Sequence, residues 1–395
     1  LRDEESIEPS RHRCRRAAIT TALIAPPRSL YVHVPWCLRK CPYCDFNSHE
    51  QAHPDFEKYG QLLIKDLDVD LERYGNQPFV SVFFGGGTPS LMPPQTLAPL
   101  LNRLASLGLI SDETEITLEA NPGTLDLDHL IGYRDLGINR LSVGVQSFHT
   151  EVLAALGRIH DADQAIQMIQ HAQDIGFRRL NVDLMHGTPH QTPEIARCDL
   201  EIIRSLGITH LSWYQLTIEP NTAFFSRPPT LPSEEALETT EETGSDLIAS
   251  MGLEQYEVSA YAKPGEEAQH NLNYWQFGDY FGIGAGAHGK ITTDRGIVRT
   301  QRTRQPDHYL ARSSFLATEQ PLSNGHLSAE CLMNGLRLKS GISHACFRQR
   351  TGLDADQFRA EHLADADSLG LLTPDRFQAS ELGWRHLNRI LEMLV

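Results

Sequence analysis

The sequence predicts an α/β fold of parallel βαβ units, six of them, arranged as a partial (β/α) barrel and followed by a C-terminal helical domain of winged-helix-like pattern. Three observations predict it. Six short β-rich runs alternate with longer amphipathic segments between residue 28 and about residue 220. Polar or Gly-rich residues follow nearly every run, where parallel α/β folds place their sites. Beyond residue 326 the pattern turns helical and ends in a short hairpin signal and a last helix. Periodicity does not report closure, so a doubly wound sheet is the alternative architecture.

The runs are Ser29–His33, Phe79–Phe84, Glu115–Glu119, Arg140–Val145, Leu180–Leu184 and His210–Leu216. Their Val, Ile, Leu and aromatic content suits strands buried on both faces. Between the first two, Phe56, Leu63, Leu67 and Leu71 fall on one helical face. Leu97, Leu100, Leu101, Leu104 and Leu107 line the next helix in the same way. Pro35 and Asn121-Pro122-Gly123 break the chain where strands should end. Residues 221–325 read as richer in loops, with an acidic helical stretch from Glu234 to Asp246 and a Gly-rich loop, Gly282 to Gly289.

A chain of 395 residues buries enough surface to fold without disulfides. Seven cysteines, three of them clustered, fit a reducing cytoplasm where grouped thiols serve metal or redox chemistry. The formal charge of −16 argues against nucleic acid as a partner, and limits membrane contact to the periphery. No apolar run reaches the roughly 20 residues of a membrane helix. Residues 1–27 read as a disordered or non-native extension: the basic-then-apolar order mimics a signal peptide, but Asp3, Glu4 and Glu5 precede it and Thr20 and Thr21 interrupt it. The expected organisation is therefore an extension over 1–27, the barrel over 28–230, a barrel extension and connecting region over 231–325, and the helical domain over 326–395. Near-neutral charge in this last segment makes it a packing or partner module rather than a DNA reader.

Cys37, Cys41 and Cys44 form a C-x3-C-x2-C run within His33-Val-Pro-Trp-Cys-Leu-Arg-Lys-Cys-Pro-Tyr-Cys-Asp-Phe46. An iron–sulfur cube has four irons, so three thiolates leave one iron open to chelate a small molecule. A zinc shell completed by His33 or His49 is the competing reading, although structural zinc usually takes two separated ligand pairs.

Other residues gain meaning from position. Gly85-Gly86-Gly87-Thr88-Pro89 ends the second run without the Gly-Lys-Ser/Thr of a phosphate loop; three glycines let backbone approach a ligand, or simply make a tight turn. Glu119, Gln146, Arg158 and Asp183 lie at or beyond strand ends, each individually compatible with a solvated loop. Together they offer acceptors for ribose hydroxyls or an amine and a guanidinium for a carboxylate. Tyr31 and Tyr43 flank the cysteines and suit packing on a cluster or an adenine, or a core position. His33, and with less weight His288, are candidate metal ligands, with a satisfied structural histidine as the alternative.

These residues resemble the radical S-adenosylmethionine (SAM) proteins related to oxygen-independent coproporphyrinogen III oxidase, most closely the heme-chaperone branch. The similar stretches include His33–His49, Gly85–Ser90, Leu118–Gly123, Ser142–Phe148, Leu156–His160, Asn181–Gly187, Trp213–Thr222, Asn271–Trp275 and the 282–289 loop. The resemblance implies a partial (β/α)6, TIM-like barrel with a C-terminal helical domain. It implies a 4Fe–4S cluster on Cys37, Cys41 and Cys44. SAM would be surrounded by Tyr31, Tyr43, Gly86, Gly87, Thr88, Glu119, Gln146, Arg158 and Asp183. His33 falls in a segment similar to the proposed heme-binding motif of the chaperone branch, with Val34 where that motif often has Asn.

One departure separates the branches. The oxidase carries a fourth cysteine two residues after the third, and here that residue is Phe46. The expectation is a cytoplasmic heme chaperone that takes heme as cargo to a recipient hemoprotein, possibly a respiratory one, with an electron donor serving the cluster. The alternative is the oxidase itself, decarboxylating porphyrinogen propionates by SAM-dependent radical chemistry. Phe46 makes that enzymatic activity doubtful.

Overall fold

The protein is described by a computed structural model that covers residues 23–124, 126–311 and 314–394. Its centre is an open sheet of twelve strands. Six parallel strands carry the expected βα units: β1 (Arg28–Val34), β2 (Phe79–Gly86), β3 (Glu115–Ala120), β4 (Arg140–Gln146), β5 (Arg179–His186) and β6 (His210–Gln215). Each pairs in parallel with the next in sequence. They are followed by β7 (Glu254–Gln255), β8 (Ala260–Ala262), β9 (Asp279–Ile283), β10 (His288–Thr293), β11 (Gly296–Arg302) and β12 (Leu316–Pro321). The strand order is β12-β11-β10-β9-β1-β2-β3-β4-β5-β6-β8-β7, so the ends do not meet and the barrel is partial.

The region expected to be richer in loops therefore supplies both margins of the sheet. Strand β8 runs antiparallel beside β6, while β9 adds a seventh parallel strand against β1. The Gly-rich 282–289 segment is not one loop. Its first two residues close β9, its last two open β10, and only the turn between them is irregular. A β-carbon at Gly282 would overlap the backbone of His288, so glycine is what lets these strands approach.

Side-chain alternation in β1 sets up the site. Leu30, Val32 and Val34 join the main apolar cluster, while Tyr31 and His33 line the cavity at the sheet's other face. Helix α1 (Phe56–Tyr74) starts at Asp55, whose side chain caps the Lys58 amide, and α2 (Pro94–Ser106) packs beside it through Leu97, Leu100, Leu101 and Leu104. The apolar face of α1 also buries Asp66 and Asp70. Both pair with the buried Arg302 of β11, at 2.7 and 2.6 Å, and Asp66 also accepts from Tyr309 Oη and the Gly284 amide. This network ties the hairpin margin of the sheet to the first helix.

A second apolar cluster gathers Leu332, Leu336, Phe347, Leu363, Phe377 and Ile390 from the C-terminal domain, with Phe277 and Ile297 from the sheet margin. Its small ladder pairs Ile342–Ser343 with Arg376–Phe377, and the expected hairpin is closed by a single antiparallel bridge between Leu372 and Ala379. The expectation for 1–22 lies outside the described residues. Residues 23–27 lie against the fold: the Ile24 amide donates to Gln349 O, and Pro27 O accepts from the Asp279 amide. Among the described residues no helix is long and apolar enough to cross a membrane.

Candidate cluster and cofactor site

The cysteine loop leaves β1 at Pro35 and is closed by a two-residue parallel ladder, Trp36–Cys37 against His49–Glu50. Trp36 is fully buried, edge-on to Tyr59 at 4.7 Å and Phe56 at 5.6 Å, and so roots the loop in α1. Within the loop the Cys44 amide donates to Cys41 O, a turn that brings the second and third thiols round together. The β2 end lies beneath: Gly87 N donates to Val34 O at 2.7 Å and Thr88 N to Trp36 O at 2.8 Å. A β-carbon at Gly87 would lie 2.6 Å from Trp36 O, and one at Gly86, whose φ is +117°, 2.5 Å from the His33 ring. These two glycines are thus required by packing, whatever ligand they also face.

All three thiols open on one cavity of about 130 Å³. Eight of the nine residues expected around SAM line it too: Tyr43 beside the cysteines, Gly86, Gly87 and Thr88 from β2, and Glu119, Gln146, Arg158 and Asp183 from the following units. Tyr31 does not. It lines a larger neighbouring cavity of about 520 Å³ together with His33 and His288. Phe46, Gly86 and Glu119 belong to both walls, so the two spaces adjoin.

The polar groups of the smaller cavity are held in place. Arg158 donates to Asn121 Oδ1 at 2.7 Å and to Gly144 O at 2.6 Å, and reaches the Cys41 sulfur at 3.6 Å; its buried Nε has no partner. Gln146 adopts φ +71° at the end of β4 and accepts from Tyr214 Oη at 2.9 Å. Asp183 is oriented by Asn181 at 2.7 Å and by Ser142 at 3.4 Å. Burial raises its pKa, and raises that of Glu119 to about 8, with Asp183 adding repulsion and the Gly86 amide, at 3.1 Å, partly opposing. Glu119 has no ion-pair partner among the described residues. Burial also pushes the Cys37 and Cys44 thiols up, so thiolate there calls for a metal or a cation.

A cluster and SAM fit this donor set. Three soft thiols face one space and, among the described residues, a half-buried carboxyl lacks a cation and a buried guanidinium nitrogen lacks an acceptor. The zinc alternative fits less well. His33 gives Nε2 to Asn47 O at 2.9 Å and Nδ1 to Tyr31 Oη at 3.0 Å, and His49 turns Nε2 to Asn47 Oδ1. Both imidazoles thus have other partners.

Sequence reasoning missed Asn121 and Tyr214 in the smaller cavity. Asn121 directly follows β3, a position that could have been flagged, whereas Tyr214 reads as an ordinary strand residue. In the larger cavity it missed His270, Tyr274, Tyr280 and Arg304. His270 is half-buried, with its Nδ1 at 3.0 Å from Ser81 Oγ and its ring stacked 4.7 Å from Phe83. Its burial lowers its pKa to about 4.

Residues 31–197 match the Radical SAM superfamily, and residues 322–386 match the HemN C-terminal domain. The Heme chaperone HemW of Escherichia coli (strain K12) is 45% identical over 377 residues, 94% of this chain and 98% of that protein. Its namesake in Bacillus subtilis (strain 168) is 33% identical over 356 residues, covering 87% and 92%. Among solved structures, the coproporphyrinogen III oxidase HemN of Escherichia coli superposes with a TM-score of 0.80 at 23% identity, over 95% of this chain and 92% of that one, a likeness of fold.

Proposed function

The chain belongs to the HemW family of radical SAM proteins related to coproporphyrinogen oxidase, and from that membership we propose that it is a heme chaperone. In this reading Cys37, Cys41 and Cys44 hold a 4Fe–4S cluster, SAM occupies the smaller cavity, and heme is the cargo of the larger one. The observation that carries it is the common wall of Phe46, Gly86 and Glu119, which sets a cargo-sized space beside the cluster pocket.

When bound, the cluster supplies single electrons to SAM. The chain's own residues do the positioning. Arg158, fixed by Asn121 and Gly144, offers its guanidinium to a carboxylate; Glu119 accepts from ribose hydroxyls or an ammonium; Thr88, Gln146 and Asp183 complete the polar wall, and Tyr43 and the glycines shape it. Tyr31 supports the arrangement from the far side, through its bond to His33.

For heme, His33 would have to give up one of its two ring hydrogen bonds to ligate iron. His270 is better disposed. Its Nδ1 faces Ser81, leaving Nε2 without a hydrogen-bond partner among the described residues, and its ring is fixed by stacking, the preparation a ligating imidazole needs. We therefore assign the axial bond to His270 and a scaffolding role to His33. The third histidine of that wall, His288, is exposed.

Phe46 at the position of the oxidase's fourth cysteine, and curated relatives named as chaperones, favour delivery over porphyrinogen decarboxylation. The recipient is a hemoprotein, respiratory ones being the first to test; a separate donor reduces the cluster; and the grouped thiols suit the cytoplasm. The reading is tested anaerobically with reconstituted protein, SAM, reductant and coproporphyrinogen III. The expected result is no porphyrinogen-coupled decarboxylation; substrate-coupled turnover would replace this reading with the oxidase.

A further inference from the structure

The larger cavity carries one guanidinium that, among the described residues, no carboxylate neutralises. Arg304 lines it, follows β11 by two residues, and is solvent-exposed. Among the described residues no carboxylate pairs with it, unlike Arg299 and Arg302 on the same strand, which are matched to Glu330 and to Asp66 and Asp70. Yet it is not loose. Its Nε donates to Asn47 Oδ1 at 3.1 Å, and Asn47 Nδ2 donates back to Arg304 O at 2.9 Å and to Ala285 O at 3.0 Å. One side chain from the cysteine loop thus holds both the backbone and the Nε edge of Arg304, leaving its terminal nitrogens for another acceptor.

A guanidinium fixed at one edge presents a planar fork that fits a carboxylate. Around it the cavity offers flat apolar surface from Tyr31, Tyr274, Tyr280 and Phe46, the last 59% exposed. Aromatic walls with a single prepared guanidinium suit a planar apolar molecule that ends in a carboxylate. The carboxyl groups on the wall, Asp45 and Glu119, offer that end no positive charge, which leaves Arg304 as its anchor.

Building on the chaperone reading, we infer that Arg304 selects the cargo by binding a propionate carboxylate, so that free-acid porphyrins are preferred to their esters. The test titrates heme and heme dimethyl ester into the full-length reconstituted protein, wild type and Arg304→Gln, with the cluster absorption as the check that each variant is folded. Wild type should bind heme at least tenfold more tightly than the ester. Arg304→Gln should lose that preference by weakening heme while leaving the ester unchanged, and Arg304→Lys, which keeps charge without the fork, should recover only part of it. Equal binding of the two ligands by wild type, or an unchanged preference in Arg304→Gln, would overturn the inference while leaving the chaperone reading in place. Binding of neither ligand by wild type would instead remove the chaperone reading, and this inference with it.

Discussion

The Gly86 amide donates to Glu119 Oε2 at 3.1 Å, across the wall that separates the cluster pocket from the larger cavity. That bond joins the ends of two adjacent strands and is the one hydrogen bond the half-buried carboxyl makes among the described residues. The carboxyl's pKa of about 8 has a consequence for stability. Below its ordinary value of 4.5 it is protonated folded or unfolded. Between 4.5 and about 8 the unfolded chain has lost a proton that the folded chain keeps, so stability falls as pH rises through this window. Glu119→Gln keeps the amide's acceptor and removes the penalty. Thermal melts of the apoprotein should show the variant more stable than wild type at pH 8.5 by a few degrees, at about 2–4 °C per kcal/mol, with the gap closing near pH 4.5. The same variant should bind SAM at least tenfold more weakly.

Cys41→Ser should abolish the brown chromophore of reconstituted protein and most of its bound iron, because no other thiol lines the cavity besides Cys37 and Cys44 among the described residues. Full iron content in that variant would contradict the ligand assignment.

Arg302 stands between two buried carboxylates, and its removal leaves both without a cation. Arg302→Ala should cost about 3–5 kcal/mol in urea unfolding. Because Asp66 also holds the Gly284 amide and Tyr309, the loss should loosen the hairpin margin of the larger cavity as well.

Gly86→Ala should be damaging for two separable reasons. The residue sits at φ +117°, and its new β-carbon would lie 2.5 Å from the His33 ring. Backbone strain alone costs about 1–3 kcal/mol, read as a fall in the unfolding midpoint. Displacement of His33 should also disturb its bonds to Tyr31 and Asn47.

His270→Ala should remove the axial feature of the heme Soret band, whereas His33→Ala should weaken binding without abolishing that feature. With its pKa lowered to about 4 by burial, His270 remains neutral and able to ligate through mildly acidic pH, so heme affinity should hold until the pH approaches 4.

What the sequence made legible was local. The cysteine spacing lies within one loop, and the six parallel runs repeat a pattern in which apolar stretches end at polar residues. Their observed spans differ from the expected ones by at most two residues at either end. The missed elements depend on distant partners. Strand β9 was hidden because Gly282 reads as flexible, and only its close approach to β10 shows why a side chain would not fit. Asp66 and Asp70 interrupt the apolar stripe of α1, and become intelligible once Arg302, far along the chain, is seen between them. The split between Tyr31 and the other expected SAM neighbours follows the same logic. Both Tyr31 and His33 lie on β1, whose inward face opens on the larger cavity, while the cysteine loop turns back over the smaller one.

Heme taken up by this protein should be handed on to an acceptor. To measure this, the reconstituted protein is loaded with heme and mixed with an apo-hemoprotein, and the acceptor's Soret band is followed. The proposed delivery requires transfer faster than the release of heme into an excess of a scavenger that does not contact the protein. Failure to bind heme, or transfer no faster than that spontaneous release, would contradict it.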